Sequence, residues 1–166
     1  NIHAVFTTYD PELYIPLTLL SYQIDHAIAV FHPFVYHLTS LLLHTFNALL
    51  VAWLLSLLLG SSWTSIGLGL LFALHPLNTE AVAWAAARKD VLSTFFFLSS
   101  IICYLYATET PRRKLLTLSV VLFLFGIISK VMVVTLPVVL IMLDLVRGRT
   151  LDRGAWLEKI PYVILS

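Results

Sequence analysis

Charge is what this sequence has least of. Of its 166 residues 60% are hydrophobic and only 11% are charged, where an ordinary soluble domain carries about a quarter charged residues. From His26 to Thr79 there is no Asp, Glu, Lys or Arg at all, and further uncharged runs follow at 91–108, 115–129 and 131–143. A soluble core has no use for so much continuous apolar sequence, whereas a bilayer asks for about 20 apolar residues per helical crossing. The net charge of +1 is too small to suggest nucleic acid as a partner. A single cysteine, Cys103, excludes an intramolecular disulfide. No ten-residue alternating strand pattern occurs, which leaves helices as the spanning structure. Internal repeats, low-complexity tracts and tetratricopeptide signatures are absent as well.

What is present divides into five apolar segments. The first, 36–59, is the clearest and ends at "GSSWTS", where Gly60 and the serines are turn chemistry. The second begins near Ile66 and runs toward Pro76, with a helix expected to resume through Glu80 and Trp84. The third covers 91–108 and closes at "TETPRRK". The fourth (115–129) and fifth (131–146) are short and joined only around Lys130, which predicts a tilted or partly re-entrant hairpin. Before them, Pro16 followed by Leu17, Leu20, Ile24 and Ala27 or Ile28 predicts a short amphipathic helix along the membrane surface, ended by Asp25 and His26. Asp10 and Glu12 read as loop charges. The chain opens on Asn1 with no signal peptide, and "IPYVILS" looks like a span cut short, so an excerpt of a longer membrane protein is expected.

Basic residues set the orientation. Arg112, Arg113, Lys114, Arg147, Arg149, Arg153 and Lys159 fall in the loops after the third and fifth segments, on one side of the bilayer. By the positive-inside rule that side is cytoplasmic. Parity then sends 1–35, the 75–90 cluster and Lys130 to the lumenal or periplasmic face. The expected organisation is an exoplasmic loop with its short helix (1–35), a helical bundle with an exoplasmic loop at 75–90 (36–146), and a cytoplasmic loop starting a further span (147–166).

The cluster "HPLNTEAVAWAAARKDVL" (75–92) holds most of the chemistry. A helix over 79–90 would put Glu80, Trp84 and Arg88 on one face, a carboxylate and a guanidinium flanking an indole. Glu80 lies between apolar residues, where an unpaired carboxylate is costly, so a partner is expected. Lys89 either snorkels to headgroups or serves a site, and Trp84 either anchors at the interface or contacts a ligand. Pro76 breaks the helix after His75, exposing backbone of the kind that lines cavities. His75 itself is either a hydrogen-bonded structural residue or a group that binds an anion or moves a proton. His37, Ser40, His44 and Asn47 form a polar stripe whose better reading is interhelical hydrogen bonding rather than metal ligation. Lys130, at a turn between two apolar segments, reaches headgroups or binds a lipid-linked phosphate entering from the bilayer. Asp144 and Arg147 look like a helix-end pair.

The stretches "YIPLTLLSYQID", "HPFVYHLTSLLLHTFNALLVAWLL", "LFALHPLNTEAVAWAAARKDVLSTFFFL" and "SKVMVVTLPVVLIMLDLV" resemble the membrane domain of the transmembrane and tetratricopeptide-repeat-containing (TMTC) proteins and their bacterial relatives. The likeness covers nearly all of 9–146, and its most specific part is the H-P-x-x-T-E-A-V-A…R-x-D-V-L pattern. It implies an all-α, polytopic transmembrane helical bundle of GT-C type, here a partial domain. It also implies transfer of a sugar, mannose in the animal members, from a dolichyl- or polyprenyl-phosphate donor to Ser or Thr of an acceptor protein. By position, Arg88, Lys89 and Lys130 would meet the phosphate with His75 assisting and Trp84 nearby, while Glu80 and Asp90 would orient those cations or touch the sugar. The catalytic base of such enzymes lies in an acidic first-loop motif, which the resemblance places upstream of Asn1. Two departures touch the donor contacts: Asn78 stands where members often carry His, and Ile15 where they carry Arg.

The implied partners are membrane lipid, the lipid-phosphate sugar and the acceptor protein, with no nucleic acid. No cofactor is implied beyond the donor, which is a substrate, and the scattered acids do not argue for a metal. The implied location is the endoplasmic reticulum membrane in a eukaryote or the inner membrane in a bacterium. Two other classes stay open, a non-catalytic membrane scaffold and a lipid or solute transporter subunit, whose mark would be matching discontinuous helices in two halves.

Overall fold

In the computed structural model, which describes residues 15–110 and 112–166, helices make up the architecture and no strand occurs among the described residues. Asn1, with the acidic loop expected upstream of it, lies outside them, as do Asp10 and Glu12. The short helix α1 (Pro16–Ala29) starts on proline, whose fixed φ and missing amide hydrogen suit a first turn. It docks through polar atoms: the Thr18 hydroxyl donates to the Ser129 carbonyl at 3.3 Å, and Asp25 is buried. Its apolar residues Ile24 and Ile28 are left exposed.

Helix α2 (Pro33–Leu59) also begins on proline and stops at Gly60, whose φ of 64° is the left-handed conformation that glycine adopts without strain. Its 27 residues reach about 40 Å at 1.5 Å per residue, more than the hydrocarbon core. The expected stripe faces inward: Ser40, His44 and Asn47 are buried, and Leu41, Leu42 and Leu49 on the other faces are exposed. Asn47 donates to the Val91 carbonyl at 2.8 Å, and His44 Nε2 sits 3.1 Å from the Ala73 carbonyl oxygen. His37, the fourth residue of that stripe, is exposed. Helix α3 (Ser62–Leu74) packs closely on α2 because Gly69 has no side chain: a Cβ there would lie 2.7 Å from that of Ala52. Small residues let helix backbones approach in this way in membrane bundles.

At His75-Pro76 the chain bends by 61° into the short helix α4 (Leu77–Ala83). The expected continuous helix over 79–90 does not form. Trp84 takes an extended conformation, Ala85–Ala87 make one 3-10 turn, and α5 (Arg88–Glu109) starts afresh. Three alanines favour helix, so a tertiary contact decides here, and that contact is the burial of Arg88.

Helix α5 packs along α6 (Arg113–Ile127), with the Ser100 and Ser119 hydroxyls 3.0 Å apart between them. A 3-10 stretch (Val131–Thr135) leads into α7 (Leu136–Val146), and α8 (Arg153–Leu165) follows, its first turn capped by Asp152 accepting from the Ala155 amide at 2.8 Å. Ile101, Tyr104, Leu105, Phe123, Val133, Leu136, Leu140 and Tyr162 form the core. Helices α2 and α5 are each long and apolar enough to cross a membrane, and the bent pair α3 and α4 makes a third candidate.

Segments 15–33, 75–90 and 128–131 meet at one end of the bundle, hereafter the mouth, while 109–113 and 146–153 meet at the opposite, basic end. Two expectations at the basic end are corrected. Arg147 pairs with Glu109 rather than with Asp144. Lys159 is not a loop cation: it is 1% exposed inside α8, donating to Asp144 Oδ2 at 2.5 Å and to the Tyr104 hydroxyl at 2.7 Å. An ammonium so far from water persists only when paired and hydrogen-bonded, and α7 and α5 supply both partners.

Candidate functional site

A cleft of about 430 Å³ opens at the mouth. The middle of α4 brings Glu80, the extended residue Trp84 follows, the first turn of α5 brings Lys89 and Asp90, and the turn before the second 3-10 stretch brings Lys130. Lys130 and Asp90 form an ion pair, each side chain about a third exposed. Asp90 sits at the start of α5, where a carboxylate is favoured by the helix dipole, and its carbonyl is held by the hydroxyls of Ser93 and Thr94 at 3.1 and 2.7 Å. Lys130 is fixed by its backbone: its amide donates to the Gly126 carbonyl at 2.9 Å. Gly126 is required there, since a Cβ would stand 2.8 Å from Val133 Cγ1.

Lys89 is half-buried and has no ion-pair partner among the described residues. Glu80 is exposed on the cleft wall and likewise has no side-chain partner among them, so the partner expected from its apolar neighbours is not found. Exposure accounts for it, because a solvated carboxylate needs none. Trp84 is also exposed, its indole forming part of the wall. Below the cleft, and sharing Asp90 and Lys130 with it, a second groove of about 300 Å³ runs along Phe97, Met132 and Val133. The ion pair thus stands between a polar chamber and an apolar one.

Two predicted residues lie elsewhere. His75 is exposed in a separate groove with His44 and Asn78, its Nδ1 accepting from the Leu77 amide at 3.2 Å. Arg88 does not share a face with Glu80 and Trp84, because the break at Trp84 turns it inward. It is 0% exposed and paired with Asp25 of α1. Its Nη2 donates to the Tyr36 carbonyl at 2.6 Å, and its Cζ lies 4.6 Å from the centre of the Tyr22 ring. The other Asp25 oxygen accepts from Thr39 at 2.9 Å. Arg88 therefore pins α1 and α2 to the start of α5, and with them fixes where Lys89 and Asp90 point.

Asp25 is the residue that sequence reasoning missed. Spacing gives no signal for it: the uncharged run 26–79 is bounded by two acids, Asp25 and Glu80, and only the fold brings Arg88 back to Asp25, with its Nε also 3.4 Å from the hydroxyl of Ser40 on the buried stripe.

Chemically, the cleft offers two ammonium groups near one another, one of them held by an exchangeable carboxylate, with a second carboxylate and an indole on the wall and an apolar groove leading away. Such a set suits an anionic headgroup carrying a polar substituent and an apolar tail.

No family model matches the chain, and no solved structure does. Among curated proteins it is 42% identical over 97 residues to protein O-mannosyl-transferase TMTC2 of Homo sapiens, covering 58% of this chain and 12% of that protein. It is 33% identical over 140 residues to protein O-mannosyl-transferase Tmtc2 of Drosophila melanogaster, covering 80% and 15%, and 33% identical over 91 residues to protein O-mannosyl-transferase TMTC3 of Homo sapiens, covering 55% and 10%. The chain thus spans well under a fifth of the length of these relatives.

Proposed function

The chain is homologous to a segment of the TMTC family of protein O-mannosyl-transferases, and from that premise we propose that it forms part of a glycosyltransferase membrane domain whose mouth cleft holds the phosphate of a dolichyl- or polyprenyl-phosphate sugar. The observation that carries this reading is the convergence of Glu80, Trp84, Lys89, Asp90 and Lys130, from α4, α5 and the turn after α6, on one cleft. Lys89 and Lys130 meet the phosphate, which competes with Asp90 for Lys130. Glu80 and Trp84 face the sugar. The groove along Phe97, Met132 and Val133 receives the first part of the lipid tail. Arg88 and Asp25 position these groups without touching the donor.

In the reaction, the acceptor hydroxyl of a Ser or Thr attacks the anomeric carbon, the bond from that carbon to the phosphate oxygen breaks, and the lipid phosphate leaves. Charge grows on the departing phosphate, and preorganised cations in a water-poor cleft stabilise it there. A general base takes the hydroxyl proton. No residue of the described cleft is assigned that role; it falls to the acidic first-loop segment of such enzymes, which the resemblance sets before Asn1. The mouth faces the lumen of the endoplasmic reticulum or the periplasm, and the basic end faces the cytoplasm.

The test uses the full-length protein with a lipid-phosphate sugar donor. Loss of a charged hydrogen bond costs about 1.5–3 kcal/mol, so Lys89→Ala and Lys130→Ala are each expected to lower transfer on the order of 10- to 100-fold, chiefly through a raised KM for donor. Unchanged kinetics in both variants would refute the assignment.

A further inference from the structure

The basic end holds an imbalance that the transferase reading does not use. Four acids lie there, and each is engaged. Glu109 pairs with Arg147, and Asp144 takes Lys159 at 2.5 Å and Arg149 at 3.5 Å. Glu158 is gripped by both terminal nitrogens of Arg149 at 2.7 and 3.0 Å, and Asp152 caps α8. Arg112 and Arg113 are left with no acidic partner among the described residues. Both line a pocket of about 390 Å³ between the end of α5, the start of α6 and α8, whose walls are Ala107, Leu116, Leu157 and the already neutralised Glu158. Helix α5 is long and apolar enough to span the bilayer and ends at Glu109, which sets the pocket at the depth of lipid headgroups.

We infer that this pocket binds the phosphate headgroup of an anionic glycerophospholipid. Two guanidinium groups that no acid among the described residues neutralises supply countercharge to a phosphate, in the planar geometry that suits its oxygens. Leu116 and Leu157 lie against the upper acyl chains. Basic pockets between membrane helices are suited to such lipids. The site is independent of the donor cleft, at the opposite end of the bundle.

The full-length protein in nanodiscs of phosphatidylcholine doped with phosphatidylserine provides the test, with retained lipid counted by mass spectrometry after transfer to detergent. The wild type is expected to retain phosphatidylserine over phosphatidylcholine by about tenfold, and excess inorganic phosphate does not displace it. Arg112→Gln/Arg113→Gln loses the preference, with Lys114, Arg147, Arg149 and Arg153 kept so that the orienting charge remains. Leu157→Trp, at a position 64% exposed and so tolerant of bulk, fills the pocket without changing charge and also loses it. Equal retention of the two lipids by the wild type, or an undiminished preference in the arginine variant, overturns the proposal. So does a preference that survives Leu157→Trp, which would mean diffuse attraction, or displacement by phosphate alone.

Discussion

Removing the Asp25 carboxylate, as Asp25→Leu, strands a guanidinium that has no exposure to solvent. Breaking a buried ion pair by taking away one partner costs about 3–5 kcal/mol, because the remaining charge is left uncompensated. The hydrogen bond to the Tyr36 carbonyl and the contact with the Tyr22 ring survive, so Arg88 is still tethered to α1 and α2 and the cost falls near the lower bound. Glu109→Gln provides the contrast: it breaks a pair whose side chains are 24% and 45% exposed, a class worth about 0–1 kcal/mol. Hydrogen exchange of the full-length protein in nanodiscs reads the difference, since α1 reaches the bundle through few contacts and opens locally. Amides of 16–29 are expected to exchange about a hundredfold faster in Asp25→Leu and at the wild-type rate in Glu109→Gln. The double variant Asp25→Leu/Arg88→Met removes both charges together and is expected to recover most of the protection. Protection of α1 unaltered by Asp25→Leu, or a double variant no better than the single one, would refute the pin.

Further outcomes follow from the same packing. Gly126→Ala places a Cβ 2.8 Å from Val133 Cγ1 and costs about 1–3 kcal/mol by overpacking; it displaces the turn holding Lys130, so donor KM rises as thermal stability in detergent falls. Gly67→Ala, where a Cβ meets nothing within 4 Å, leaves both at or slightly above the wild-type values. Asp144→Leu strands the buried Lys159 and lowers thermal stability by about 3–5 kcal/mol, with recovery in Asp144→Leu/Lys159→Met. Asn47→Leu loses the 2.8 Å bond to the Val91 carbonyl and costs about 1–2 kcal/mol, measured as a lower midpoint of thermal unfolding.

Where local chemistry decides the structure, the sequence was legible. Pro16 starts a helix, Gly60 ends one, and His75-Pro76 bends the chain where expected, while the first long helix begins at Pro33 rather than at 36. The stripe of Ser40, His44 and Asn47 showed by its period which face of α2 turns inward. Five of the seven predicted site residues line one cleft, because the alternation of apolar segments already brought their loops to one end. Arg88 was misplaced because alanine propensity favours continuing the helix through Trp84, while the pull that interrupts it comes from Asp25, far away in the chain. Lys159 was counted with the loop cations for a similar reason: the carboxylate that buries it belongs to another helix. Long-range ion pairs leave no periodic trace, so neither could be found from spacing alone.

The central claim is that a lipid-phosphate headgroup is gripped where α4, the start of α5 and the turn at Lys130 meet. A photoreactive polyprenyl-phosphate sugar analogue, with the label next to the phosphate, tests it most directly in the full-length protein. The account predicts cross-links within 77–90 and 126–135, suppressed by unlabelled donor; suppressible cross-links confined to other segments would contradict it.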